Sequence, residues 1–241
     1  MSKTTTRQAI EGVQNIVLAT HVRPDGDALG SMFALADILK MMGKKVVCYL
    51  EQPVTGLYSF LRPEVTIEID YDKVSAFIER CGTDIIGIAL DCGDLTRLGD
   101  KGPELNKIKP FLVIDHHQGN KGFGDLHWVE PHRSSTGEMI YDLAEELGVA
   151  EKISKEAAEC LYAAIVTDTG SFHYDSTSAH TFNVAGKLIN LGVNPAYVCQ
   201  MLFDNATFGS LQLMQLVIAT LQTYMNDQVA IIHVSQTNPN T

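Results

Sequence analysis

The chain has 241 residues, 45% of them hydrophobic, and a formal net charge of −11. That is material for one large domain, or one and a half ordinary ones, with an ample core. The acidic balance argues against general binding of long or duplex nucleic acid, which relies on Lys and Arg neutralising phosphates. A small phosphorylated substrate stays compatible if bound metal supplies the positive charge.

The start, residues 1–14, is polar with no apolar core of a signal peptide. No apolar run is long enough to span a bilayer, so no membrane association is expected. Residues 15–20 read as a short apolar strand, followed by a polar turn, His21 to Asp27. A helix over 28–42 shows Leu29, Met32, Phe33, Ala36 and Leu39 at helical spacing, and Gly43 stops it. Residues 45–50 form a second strand, 52–62 a loop, 74–81 a helix and 85–90 a third buried strand ending at Asp91. Phe111-Leu112-Val113-Ile114 is the fourth strand, and Asp115-His116-His117 follows at once.

Apolar strands alternating with helices indicate an α/β, doubly wound, mostly parallel sheet with helices on both faces. Beyond a Gly-rich stretch (118–125), helices are expected over 134–147, 154–166, 180–191 and 195–203, with Ser134 or Ser135 capping the first. Residues 205–225 read as a long apolar helix and 229–234 as a last strand. There is no internal repeat. Five scattered cysteines without a C-x-x-C argue against disulfides or zinc and for a reducing cytoplasm.

In such sheets ligands sit beyond the carboxyl ends of the strands. His21, Asp91 and Asp115 all lie just past a strand. Asp25 and Asp27 read as caps of the next helix, but two Asp plus His exceed what capping needs. Asp91, Asp94 and Asp168 read individually as turn or cap residues. Taken together, carboxylates and imidazoles at strand ends read as a metal site. Its oxygen-rich donors favour Mn²⁺ or Mg²⁺ over zinc.

The ordered motifs H-x-x-P-D-G-D-A-L-G-S at His21 to Ser31, Asp91, Asp115-His116-His117 and Asp168-Thr169-Gly170 resemble those of the DHH phosphoesterase superfamily. Ser134-Ser135-Thr136-Gly137-Glu138, with Asn120 after the triplet, is similar to its bifunctional oligoribonuclease/pAp-phosphatase branch. The resemblance spans roughly residues 10–225.

It implies one cation held by His21, Asp25 and Asp91, and another by Asp27, Asp91, His116 and Asp168, with Asp91 bridging. Mn²⁺ comes first, with Mg²⁺ or Co²⁺ as substitutes. His117 and Asp91 are the expected catalytic groups, and Asp115 orients a histidine from behind. Substrate contacts are expected from His117, Arg97, Ser135 and His173. Arg97 reads equally well as an exposed structural arginine. His173 stands where relatives would carry Arg, and its charge at pH 7 is less dependable. His127 and His132 read as surface or loop histidines.

The resemblance also implies a smaller second domain with a Gly-Gly-Gly-His motif. No Gly-Gly-Gly occurs here. The expected division is a phosphoesterase domain over 1–203, a linker helix over 204–226 and the truncated start of the second domain over 227–241. The strand at 229–234 is expected to lack sheet partners. The implied reaction is metal-dependent hydrolysis of very short oligoribonucleotides or 3′-phosphoadenosine 5′-phosphate, in the cytoplasm, with a homodimer left open. The rivals are a cyclic- or linear-dinucleotide phosphodiesterase, a pyrophosphatase-like enzyme, and a nucleotide-binding remnant without catalysis.

Overall fold

A computed structural model of the protein describes residues 2–54, 56–61 and 64–234. The apolar runs form strands β1 (Asn15–Thr20), β2 (Lys45–Tyr49), β3 (Ile67–Glu68), β4 (Ile85–Leu90), β5 (Phe111–Asp115) and β6 (Leu126–Val129). These pair in parallel throughout, in the order β3-β2-β1-β4-β5-β6. Every residue of β1 and β4 is buried. That requires cover on both faces, and the alternation of side chains along a strand divides them between two layers.

Ile16, Leu18, Ile86 and Ile88 join one core with residues from α1 (Lys3–Glu11), α2 (Gly26–Met41), α5 (Thr136–Glu146), α6 (Lys155–Asp168), α7 (Ala179–Asn190) and α8 (Pro195–Phe203). Val17, Ala19, Ile85, Ala89 and Val113 join a second core with Val74 and Phe77 of α3 (Tyr71–Cys81) and Leu105 of α4 (Gly102–Leu105). The doubly wound α/β reading holds.

Two geometrical facts place the site. Parallel strands put their carboxyl ends on one edge, so the residues after β1, β4 and β5 share it. Beside that edge α2 runs antiparallel to α6, so the start of α2 meets the end of α6. The approach is close because Gly30 has no side chain. A Cβ there would lie 2.4 Å from the Cys160 carbonyl oxygen and 3.0 Å from Ala164 Cβ.

The structure adds elements that the residue pattern did not signal. The polar start forms α1, capped by Ser2 and burying only Thr6 and Ile10, too few for a readable period. Strand β6 is a four-residue edge element, and His127 lies within it with Nε2 2.7 Å from the Phe123 carbonyl oxygen.

The chain divides into two compact units, Met1–Leu202 and Phe203–Thr241. In the second, α9 (Phe208–Ile218) ends before the expected limit of the linker helix. A hairpin of β7 (Gln222–Tyr224) and β8 (Val229–Ile231) follows. Thr223 and Tyr224 suit a strand, and Met225, Asn226 and Asp227 turn the chain with φ of 54°, 54° and 65°. The expectation of an unpaired strand is therefore corrected, because β8 pairs antiparallel with β7. The final part of the expected second-domain stub, residues 235–241, lies outside the described residues.

Gly30→Val is expected to destabilise the protein by about 1–3 kcal/mol, the usual cost of overpacking. The readout is a lower urea midpoint at unchanged slope. A midpoint equal to wild type would show that α2 and α6 separate without cost.

Candidate metal centre

His21 follows β1 and is 3% exposed. Its Nδ1 lies 2.9 Å from the Val22 carbonyl oxygen. A carbonyl only accepts, so Nδ1 carries the proton and Nε2 turns the other way. There it meets Asp91 Oδ2 at 3.6 Å and Asp25 Oδ2 at 3.8 Å.

His116, after β5, repeats the device. Its Nδ1 donates to the Arg133 carbonyl oxygen at 3.2 Å. Its Nε2 faces Asp168 Oδ2 at 3.3 Å, Asp91 Oδ1 at 3.6 Å and Asp27 Oδ2 at 3.7 Å. That Nε2 is buried and has no hydrogen-bond partner. The spacings are longer than hydrogen bonds. They suit donors sharing an ion, since two ligands of an octahedral cation stand about 3 Å apart.

Asp91 connects the two groups. It sits at φ 53°, a left-handed conformation uncommon for a residue with a side chain. Burial pushes its pKa up, but the pull of His21, His117 and His116 outweighs this and holds it below the ordinary value. Asp27, fully enclosed, is pushed well above the ordinary value by burial and by Asp91 and Asp168. Asp168 rises to about 6, chiefly from burial. In His21, the Asp91 carboxylate and the Val22 carbonyl overcome the opposing effect of burial and raise the pKa.

His117 is oriented differently. Its Nδ1 donates to Asp115 Oδ1 at 2.7 Å. Asp115 is fully buried, and its Oδ2 accepts from Asn120 Nδ2 at 2.7 Å. The Asp115 bond raises the His117 pKa to about 9 against the effect of burial. With the side chain 42% exposed, Nε2 is left for something outside the fold.

The structure thus brings His21, Asp25 and Asp91 into one group and Asp27, His116 and Asp168 into another, the donor atoms within each lying within 4.8 Å of one another. His117 joins Asp91 and His116 in a further such group. Oxygen-rich donors with two imidazoles suit hard divalent cations, and the unpartnered His116 Nε2 fits that use.

The expected substrate contacts fare unevenly. Arg97 is exposed and its carbonyl accepts from Val22 N–H at 2.7 Å, so it borders the His21 turn. No ion pair joins its guanidinium to the six among the described residues. His173 is exposed in the turn after Asp168. Ser135 is fully buried, and its Oγ accepts from the Glu138 amide as the cap of α5.

The residue pattern also missed several supports. Asp27 receives the Thr136 amide at 2.7 Å, the Gly137 amide at 2.8 Å and the Ser31 hydroxyl at 3.0 Å. The Ser134–Glu138 motif was the available signal, but nothing in it says which acid it serves.

The DHH family, N-terminal domain, matches residues 15–165. The chain belongs to the DHH family. It is 34% identical over 190 residues to the bifunctional oligoribonuclease and PAP phosphatase NrnA of Thermus thermophilus, covering 78% of this chain and 53% of that one. It is 31% identical over 204 residues to the Bacillus subtilis protein of the same name, covering 84% and 61%. The chain therefore spans little more than half the length of these DHH relatives. In structure it is similar to an exopolyphosphatase-related protein from Bacteroides fragilis. There the TM-score is 0.87 at 25% identity, over 97% of this chain and 69% of that one.

The shifts set a pH dependence for the ion-free protein. Asp168 moves from 3.8 to about 6, and His117 from 6.5 to about 9. Both bind protons more tightly folded than unfolded. Each adds stability that is complete below its ordinary value and is lost as pH rises through the folded value. Asp91 acts in the opposite sense, but only below 3.8. The chelated protein should therefore lose thermal stability between pH 3.8 and about 6, and again between 6.5 and about 9. A saturating divalent cation should flatten both declines. A melting temperature that climbs across these ranges in chelator would contradict the environments described.

Proposed function

We propose that this chain forms the catalytic core of a metal-dependent phosphoesterase. The substrates proposed are very short oligoribonucleotides and 3′-phosphoadenosine 5′-phosphate, acted on in the cytoplasm. The carrying observation is the His116 Nε2 atom, buried, unpartnered and turned toward three carboxylates. The NrnA relatives support the substrate class.

In this reading His21, Asp25 and Asp91 hold one divalent cation. Asp27, Asp91, His116 and Asp168 hold the other. Mn²⁺ is the proposed ion. Such a pair supplies activation of a water and a clamp on the attacking and leaving oxygens.

The remaining work falls to the chain. The Val22 and Arg133 carbonyls fix the tautomers of His21 and His116, so that Nε2 is the donor atom in each. Asp115 and Asn120 hold His117 with its Nδ1 occupied. The Asp115 hydrogen bond raises the His117 pKa to about 9 in the ion-free protein and so favours the form protonated at both ring nitrogens. Its Nε2–H then donates to a substrate phosphate oxygen and stabilises the charge that builds up there.

Activity should vanish on chelation and return with Mn²⁺, assayed on pAp, a dinucleotide and pyrophosphate side by side. Preference for pyrophosphate over both nucleotides would contradict the proposed substrate. Asp91→Ala should be the most damaging single change, because it removes a ligand from both ions. Near-normal turnover in that variant with two ions still bound would overturn the ligand assignment. His117→Ala should retain two ions by metal analysis while turnover falls about 10²–10³-fold, the usual cost of losing one such donor. Loss of an ion instead would move His117 into the ligand set.

A further inference from the structure

We propose that Thr136 is a positioning residue that sets the bridging carboxylate Asp91 and the Asp27 carboxylate relative to each other. The inference rests on the reading that these two acids share a cation.

Asp27 opens α2, Asp91 follows β4 and His116 follows β5. They come from distant parts of the chain and converge on one short segment before and into α5. Asp27 Oδ2 accepts the Thr136 amide and Asp91 Oδ1 accepts the Thr136 hydroxyl at 3.2 Å. His116 Nδ1 donates to the carbonyl oxygen of Arg133, three residues earlier. Among the described residues Thr136 donates to two of the acids, one through its backbone and one through its side chain.

Capping does not account for the hydroxyl. The cap of α5 is Ser135, whose Oγ already accepts from Glu138 N–H. Thr136 is the first helical residue, where the side chain has no capping duty, and it is fully buried. Its hydroxyl is directed at the Asp91 carboxylate, at 3.2 Å. The branched side chain is also stiff about χ1, so the donor direction is well defined.

The segment that carries Thr136 is itself anchored. The Arg133 guanidinium pairs with Glu130 at 2.8 Å, Glu138 at 3.1 Å and Asp142 at 2.7 Å. Glu138 also accepts from the Ser134 hydroxyl at 2.5 Å and the Thr181 hydroxyl of α7 at 2.7 Å. Gly137 lets α5 close on α6, since a Cβ there would lie 2.5 Å from Ala164 Cβ. Thr136 is therefore a fixed point. The two acids it holds are like charges when both are ionised and repel each other. Without a common donor they would drift apart in the ion-free protein, and ion binding would have to reassemble them.

The test compares Thr136→Val, which keeps the shape and the amide but deletes the hydroxyl, with Thr136→Ser, which restores it. Mn²⁺ binding to the chelated, dialysed protein is measured by titration, counting free ion by electron paramagnetic resonance. Thermal melting of the ion-free form is followed in parallel. Thr136→Val should weaken Mn²⁺ binding about 10–100-fold, as loss of a ligand-orienting partner does. It should lower kcat more than it changes KM, and Thr136→Ser should recover most of both. Wild-type affinity and kcat in Thr136→Val would overturn the proposal. So would equal impairment of the Val and Ser variants, since then the hydroxyl is not what matters. A wild-type chain that binds no Mn²⁺ would overturn the metal reading itself, a failure distinct from that of Thr136.

Discussion

Four carboxylates converge at one edge of a parallel sheet, and three of them, Asp27, Asp91 and Asp168, crowd around a single imidazole nitrogen. Like charges this close and this buried oppose folding. The shifts follow from that constraint. Asp27 and Asp168 resist ionisation, while Asp91, placed among three imidazoles, does not. A fold that tolerates such an arrangement must either leave protons on the acids or admit cations. The hard, oxygen-rich donor set favours the second at neutral pH.

Much of the surrounding structure serves to hold these groups in place despite their repulsion. Backbone amides of α5 bind Asp27, and backbone carbonyls fix both imidazoles. The left-handed turns at Arg23 (φ 52°) and Asp91 (φ 53°), and at Ser171 and Phe172 beyond Asp168, all lie within a few residues of the acids. Backbone strain of this kind persists only where the surroundings over-determine it, and functional sites are where it gathers. The Asp115–His117–Asn120 group is separate in purpose. It spends one ring nitrogen on orientation and leaves the other outward. The adjacent histidines are thereby held differently, His116 by the Arg133 carbonyl and His117 by the Asp115 carboxylate.

Legibility in the sequence tracked the range of the determining interaction. Strands β1, β4 and β5 are continuous apolar runs, and their burial on both faces made them readable. His21, Asp91 and His116 were readable because ionisable residues directly after buried strands need partners. The resemblance to DHH proteins then ordered them. Strand β6 was not legible, since Leu-His-Trp-Val at a sheet edge has no run of its own. Helix α1 buries too little to show a period. The helix expected to continue to Met225 stops at Ile218 because its apolar composition masks a hairpin whose turn conformation is local. The motif around Ser135 marks a helix start whose Thr136 and Gly137 amides and Thr136 hydroxyl donate to Asp27 and Asp91. Which acid a buried donor serves depends on residues far along the chain, and sequence spacing does not carry that information.

The most direct measurement is anomalous diffraction at the manganese edge from crystals of this chain grown with Mn²⁺. Two peaks about 3.5–4 Å apart are expected, the spacing of a two-metal phosphoryl-transfer centre. One should lie among His21, Asp25 and Asp91, and the other among Asp27, Asp91, His116 and Asp168, with Asp91 touching both. A single peak, or a peak bound through His117 with His116 Nε2 left without an ion, would contradict the two-metal assignment.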